Sequence, residues 1–263
     1  MDRDAPSFLR YLQNHPNLLR VSSVVLFFVL WEIFGRDANP LFMTYPSAIG
    51  IAAYQITMSG ELLTALKQSL VPLSIGLVIS IIGGILIGVL MGQFWFIEYS
   101  IDPFVNALYA IPRIALVPLI ILWAGLGVVG KIVILVSIAI FPVIINTYSG
   151  IKDVRGSLIE IGTAYSATRS QTFFKIILPA SIPFIMTGIR LSVGLAIIGL
   201  VVAEFFTAIS GLGGLITNYA NIFATAKVFV PIIVIALLGV ILTEVVMRLE
   251  RRFSAWRVLE RER

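Results

Sequence analysis

Hydrophobic positions in this chain come in long blocks, with no alternation of apolar and polar residues. The clearest block lies between Lys67 and Glu98, where no charged residue occurs. Roughly 20 apolar residues cross a bilayer as a helix, and reading from charge to charge predicts six such spans, at about 18–35, 68–93, 101–124, 131–151, 181–206 and 228–248. The first is the weakest, because only Val21 to Trp31 is free of charge before Glu32. The third contains Arg113 and is interrupted by Pro112 and Pro118; the fifth contains Arg190. In hydrocarbon a backbone must satisfy its own hydrogen bonds, which leaves helices or a closed barrel, and barrel strands would show a period of two. The pattern therefore predicts an all-α integral membrane protein, with residues 1–263 forming one transmembrane domain.

One stretch departs from this pattern. Between spans four and five, "EIGTAYSATRSQTFFKIILPASIP" is polar, free of proline from Glu160 to Phe174, and closed by Pro179 and Pro183. A short helix over about 156–174 is expected there, with the prolines opening the next span, where a missing N–H costs least. The small residues Gly162, Ala164, Ser166 and Ala167 give it a surface that another protein can approach closely.

Composition strengthens the membrane reading. The chain is 59% hydrophobic and 13% charged, with mean hydropathy +1.00, far from the half-apolar, quarter-charged norm of soluble domains. Arg20 followed by an apolar run resembles a signal peptide, but no small-x-small cleavage site follows, so an uncleaved first helix is expected. Retained loops carry the positive excess. The N-terminal tail (Arg3, Arg10, Arg20), the loop after span four (Lys152, Arg155, Arg169, Lys175) and the C-terminal tail (Arg248, Arg251, Arg252, Arg257, Arg261, Arg263) hold thirteen basic residues, against four at Arg36, Lys67, Lys131 and Lys227. Both termini and the polar stretch are thus expected in the cytoplasm. The net charge of +5 is accounted for by a basic tail at the lipid surface and calls for no nucleic acid.

Chemistry-bearing groups are sparse. With no cysteine and His15 as the single histidine, a Cys- or His-based metal site and a Ser-His-Asp triad are excluded, and no metal is expected. "GLGVVGKI" from Gly125 to Ile132 imitates a phosphate loop but ends in Ile132 where magnesium needs Ser or Thr. Neither catalytic residues nor a cofactor of its own are expected for this chain. Span two carries Gly76, Ser80, Gly84, Gly88 and Gly92 at every fourth position. This is a small-residue face that brings another helix close, either within the subunit or across a dimer.

The polar stretch resembles the EAA motif of ABC importer permeases, with Glu160 at the Glu, Ala167 at the Ala after the motif glycine, and Leu178 and Pro179 as the closing pair; Ile161, Gly162 and Ser166 depart from it. "LWEIFG", "YPSAIG", "LYAIPRIALVPLIILWAGLG", "PASIPFIMTGIRLS" and "AEFFTAISGLGGLI" are similar to the branch serving nitrate, sulfonate, taurine and bicarbonate. The resemblance implies a type I importer permease fold of about six transmembrane helices, with a short cytoplasmic coupling helix between spans four and five. It implies a homodimer, or pseudo-dimer, around one pore, two cytoplasmic ATP-binding subunits that hold ATP and magnesium, and an external binding protein that delivers a small anionic solute. Glu160, Gly162, Thr163, Ser166, Ala167 and Thr168 would then dock the ATPase. Arg113, Asn146, Arg190 and Glu204 are the polar candidates for the translocation path. Arg113 either meets substrate at a broken helix or lies near the cytoplasmic surface. Arg190 either anchors a helix or contacts substrate, and Asn146 either lines the path or bonds across helices. An ion-coupled secondary transporter is the alternative; it would need internal repeats and mid-membrane acids.

Overall fold

The computed structural model describes residues 16–207 and 210–253, and every regular element among them is helical. Arg3, Arg10 and His15 of the N-terminal tail and Arg257, Arg261 and Arg263 of the C-terminal tail lie outside the described residues. In chain order the helices are α1 (Pro16–Asp37), α2 (Pro46–Met58), α3 (Glu61–Gln93) and α4 (Trp95–Ala110), then a 3₁₀ turn (Arg113–Leu116) leading into α5 (Val117–Ala124) and α6 (Val128–Lys152). There follow α7 (Gly156–Ala164), the single turn α8 (Arg169–Thr172), a π-helical segment (Phe173–Ile177), α9 (Leu178–Thr207), α10 (Leu212–Asn221) and α11 (Thr225–Phe253). Five helical runs are long and apolar enough to cross a membrane, or six if the bent pair α4 and α5 is one span.

Helix α6 is the axis of the bundle. On one side α3 runs parallel to it, with its small residues turned inward. A Cβ added at Gly76, Gly84, Gly88 or Gly92 would come within 2.6–2.7 Å of Leu135, Val143, Ile144 with Thr147, or Ile151 respectively. On the other side α9 runs antiparallel and presents a second small face, Gly188, Ser192, Ala196, Gly199 and Ala203, all buried. Gly188 would place a Cβ 2.8 Å from the Pro142 carbonyl, and Gly199 3.1 Å from the Leu135 Cα. The Ser192 hydroxyl donates to the Ala139 carbonyl at 2.7 Å. In a lipid solvent there is no hydrophobic gain from joining two apolar helices, so close approach and dispersion hold them. Large side chains from α6 seated on glycine from both neighbours maximise that approach. The small-residue face of α3 thus packs inside the subunit.

Helix α1 is attached differently. Gly35 is its one buried residue; there the chain folds back so closely that a Cβ would meet the Tyr45 Cβ at 2.8 Å. Trp31 Nε1 donates to the Thr44 carbonyl at 2.8 Å, and the Glu32 carboxylate accepts from the Ser47 backbone N–H at 3.0 Å, covering an orphan donor at the start of α2.

The third span, interrupted in sequence by Pro112 and Pro118, bends sharply: α4 and the Arg113–Ala124 run meet at 92°, because Pro112 cannot continue the helix and biases Ile111 to an extended conformation. Two expectations need correction. The single helix expected over 156–174 is two, broken at Tyr165 to Thr168. Lys131, counted above as a loop charge, lies in α6 with 3% of its surface exposed. The short helices α2 and α10, of 13 and 10 residues, are too short to carry a span-length signal.

Candidate functional site

The α7–α8 segment is built to stay ordered at the surface. Helix α7 ends in a Schellman motif: Ala167 N–H bonds the Gly162 carbonyl and Ser166 N–H the Thr163 carbonyl, each at 2.9 Å. Ser166 stands at the left-handed position with φ 53°, the conformation glycine adopts without cost. This explains in physical terms why the EAA pattern carries glycine there. Thr168 then caps α8 through a reciprocal box with Gln171. From Arg169 to Thr207 the chain is a continuous helical run of 39 residues. Leu178 N–H reaches back five residues to the Phe173 carbonyl, and Pro179, which has no N–H, follows directly.

Of the six expected docking residues, Glu160, Thr163, Ser166 and Thr168 are exposed, Ala167 is half-buried and Gly162 is buried. Gly162 faces inward: a Cβ there would lie 2.8 Å from the Ile176 side chain, so this glycine lets α7 close onto the helix that follows. The apolar surface presented outward is Tyr165, 84% exposed, with Ile161, Leu158 and Phe174. Of these four, the sequence pattern marks only Ile161, as a departure from the EAA motif; the other three are large side chains whose exposure no local rule predicts. Where α4 meets α6, near this end, Glu98 accepts from Tyr148 Oη at 2.6 Å and Lys152 Nζ at 2.5 Å.

The four path candidates are not brought together. Arg190 pairs with Glu250 at 3.4 Å, joining α9 to α11. Asn146 Nδ2 donates to the Pro142 carbonyl of its own helix at 2.8 Å and, among the described residues, makes no bond across helices. Glu204 is fully buried at the opposite end of the bundle. Its carboxylate accepts from Ser69 Oγ at 2.7 Å and the Gly213 N–H at 2.8 Å, with Lys131 Nζ at 3.6 Å. Lys131 also donates to the Ser210 carbonyl at 2.9 Å, and Ser69 Oγ accepts from the Leu212 N–H at 2.8 Å. A buried carboxylate is tolerable only when paired and bonded in this way. The group clamps α10 onto α3, α6 and α9. It also removes Lys131 from any phosphate-binding role that "GLGVVGKI" suggested. Nearby, Tyr219 hydrogen-bonds Glu61; burial and then that bond push its phenol up to about 12, so it remains a donor across the physiological range. A polar cavity of about 350 Å³ opens beside Glu61, Gln68 and Asn218.

Of the four path candidates, Arg113 alone keeps a charge without an opposite partner among the described residues. Its head bonds two carbonyls, Ile138 at 3.1 Å and Tyr109 at 2.9 Å, and lies 4.8 Å from the Tyr109 ring centroid and 5.0 Å from that of Phe141.

The described residues thus form a helical bundle with a central small-residue seam and an ordered surface segment between its two most buried helices. The fold agrees with solved transporters. The chain of the inward-facing MetNI methionine ABC transporter superposes with a TM-score of 0.60 at 21% identity, covering 75% of this chain and 98% of that one. An amino acid ABC transporter gives a TM-score of 0.57 at 16% identity, covering 77% and 96%.

Residues 80–255 match the family described as binding-protein-dependent transport system inner membrane component, and the chain belongs to it. The chain is similar to a Bacillus subtilis (strain 168) protein named as an aliphatic sulfonates transport permease, SsuC, at 36% identity over 87% of this chain and 83% of that one. The formylaminopyrimidine transport permease protein ThiX of Halalkalibacterium halodurans is 35% identical over 89% and 93%. The taurine transport system permease protein TauC of Escherichia coli (strain K12) is 31% identical over 88% and 86%. The protein is therefore the multi-pass permease subunit of an ABC importer of the sulfonate and taurine branch, which works with ATP-binding subunits and a substrate-binding protein. Family membership sets aside the secondary transporter.

Proposed function

We propose that two copies of this chain form one pore in the inner membrane, with both termini and the α7 segment in the cytoplasm and α10 on the outer side. Two ATP-binding subunits, which hold the ATP and magnesium, grip the α7–α8 segment. Glu160, Thr163, Ser166 and Thr168 form the polar part of that contact, and Tyr165, Ile161, Leu158 and Phe174 its apolar part. The carrying observation is that an exposed segment is locked by a Schellman motif and a capping box although it packs little against the rest of the chain. Order at an exposed apolar surface is the signature of a docking element. ATP can shift the pore only by favouring one state of the assembly, and this contact transmits that preference.

The cargo is a small organic anion of the sulfonate type, supported by Arg113, whose charge among the described residues meets only neutral carbonyls and aromatic faces. Of the four path candidates it is the one retained. A second reading is favoured by the similarity to ThiX: a pyrimidine-type heterocycle as cargo. The test is to purify the permease with its co-expressed ATPase and measure ATP hydrolysis with the binding protein loaded with taurine or with a formylaminopyrimidine. Tyr165→Asp should abolish copurification of the ATPase while leaving insertion intact. Full copurification by that variant refutes the docking assignment, and stimulation by the heterocycle alone refutes the anion.

A further inference from the structure

Pro142 lies in the middle of α6 and has no N–H, so the Ile138 carbonyl, four residues earlier, loses the donor an uninterrupted helix would supply. Within a bilayer such an orphan must find another partner. A second orphan lies on a different helix. The Tyr109 carbonyl in the last turn of α4 would be closed by the backbone N–H of residue 113 if the helix continued, but the chain turns away at Pro112 through 92°. One side chain serves both. The two terminal nitrogens of Arg113 donate separately, to Ile138 at 3.1 Å and to Tyr109 at 2.9 Å. The guanidinium carbon also lies 4.8 Å from the Tyr109 ring centroid and 5.0 Å from that of Phe141, and these two rings are themselves 6.3 Å apart, so the head rests against an aromatic pair. Tyr109 carries one of the two carbonyls, and Phe141 is next to Pro142. Two divergent donors on a rigid plane that stacks on aromatic faces are properties of arginine and not of lysine.

We propose that Arg113 is a positioning residue that fastens the break of the bent pair to the proline break of α6, so that the two discontinuities form one hinge and move together when the pore switches. The acceptors are neutral dipoles, so the fork of donors matters to this role more than the charge. The latch goes beyond the pore reading and is independent of which cargo is carried.

The test is a double-mutant cycle. Pro142→Ala restores the missing N–H and gives Ile138 a backbone donor. Arg113→Met should lower the unfolding temperature of the purified permease by about 3–8 °C in the native background, and by no more than half of that in the Pro142→Ala background. Arg113→Lys should fall between native and Arg113→Met. In vesicles holding the whole transporter, cargo moved per ATP hydrolysed should fall at least threefold for Arg113→Met and recover at least in part in the double variant. A purely local stabilising contact would move the melting temperature and leave this ratio alone. If Arg113→Met fails to insert, Arg113→Gln, which keeps one amide donor, goes through the same cycle under the same criterion. Equal thermal penalties in the two backgrounds, or an unchanged transport ratio, overturn the latch.

Discussion

Gly88→Ala is the smallest change that tests the seam between α3 and α6. The added methyl would sit 2.7 Å from the Ile144 carbonyl oxygen and 2.7 Å from the Thr147 Cβ. One of these is backbone and the other is fixed to backbone, so no rotamer change relieves the contact. Helices α3 and α6 would have to part by several tenths of an ångström, and a gap of about 0.5–1 Å already forfeits a quarter to a half of each dispersion contact. Overpacking of this kind costs about 1–3 kcal/mol. Gly83, on the same helix, is the control: its Cβ would meet only the flexible tip of Ile140 at 3.5 Å. Alanine there keeps the helix-propensity gain of about 0.5–1 kcal/mol and avoids the clash. Both substitutions share that propensity change, so their difference isolates the seam at about 1–3 kcal/mol, or roughly 2–12 °C in melting temperature. Thermal unfolding of the two variants in the same lipid nanodisc reads this directly. If Gly88→Ala melts at or above Gly83→Ala, the seam is not what holds these helices together.

Ser166→Gly relieves a side chain at positive φ and should be neutral or stabilising by up to about 1 kcal/mol, whereas Ser166→Val should cost about 1–2 kcal/mol; slowed hydrogen exchange at Ala167 in the glycine variant checks this. Lys131→Met leaves the Glu204 carboxylate buried without its cation and should destabilise by about 3–5 kcal/mol, while adding Glu204→Gln should recover part of that in the same melting assay. Ala167→Arg should leave insertion intact but weaken ATPase copurification, and full association would show that the α7–α8 turn is not gripped. Tags placed before Asp2 and after Arg263 should be reachable only from the cytoplasm, and external labelling of either would reverse the topology.

How much of this was legible depended on whether a feature is local. The block after Lys67 announced α3, and its glycines announced a close face, but no local rule names the residues on the far side. The facing seam on α9 went unread because Gly188, Ser192, Ala196, Gly199 and Ala203 mix steps of four and three and two of them are alanines within an apolar run. Pro112 and Pro118 signalled a broken span, yet a proline fixes where a helix stops and leaves the angle to packing. Lys131 and Glu204 looked like isolated charges at span ends; their pairing joins distant parts of the chain, and only packing of α6 against α9 brings them together. The Arg113 contact was half visible. Counting back four residues from Pro142 identifies an orphan carbonyl at Ile138, but not the arginine that reaches it.

The attachment of α7 has a mechanical consequence. On one side it is tied by Asp153 to Arg155 to the end of α6, and on the other by the Tyr165–Thr168 turn to the 39-residue run that ends at Thr207. These are the two helices with the most buried positions, while α1, with one buried residue, lies outside this connection. A force applied to α7 therefore enters at the keystone of the arch and spares the outer wall. It travels along two antiparallel helices, one of them hinged at Pro142, to the Lys131–Glu204 clamp, so a displacement imposed at one end of the bundle reaches the other through its buried core, with the lipid-facing helices free to follow.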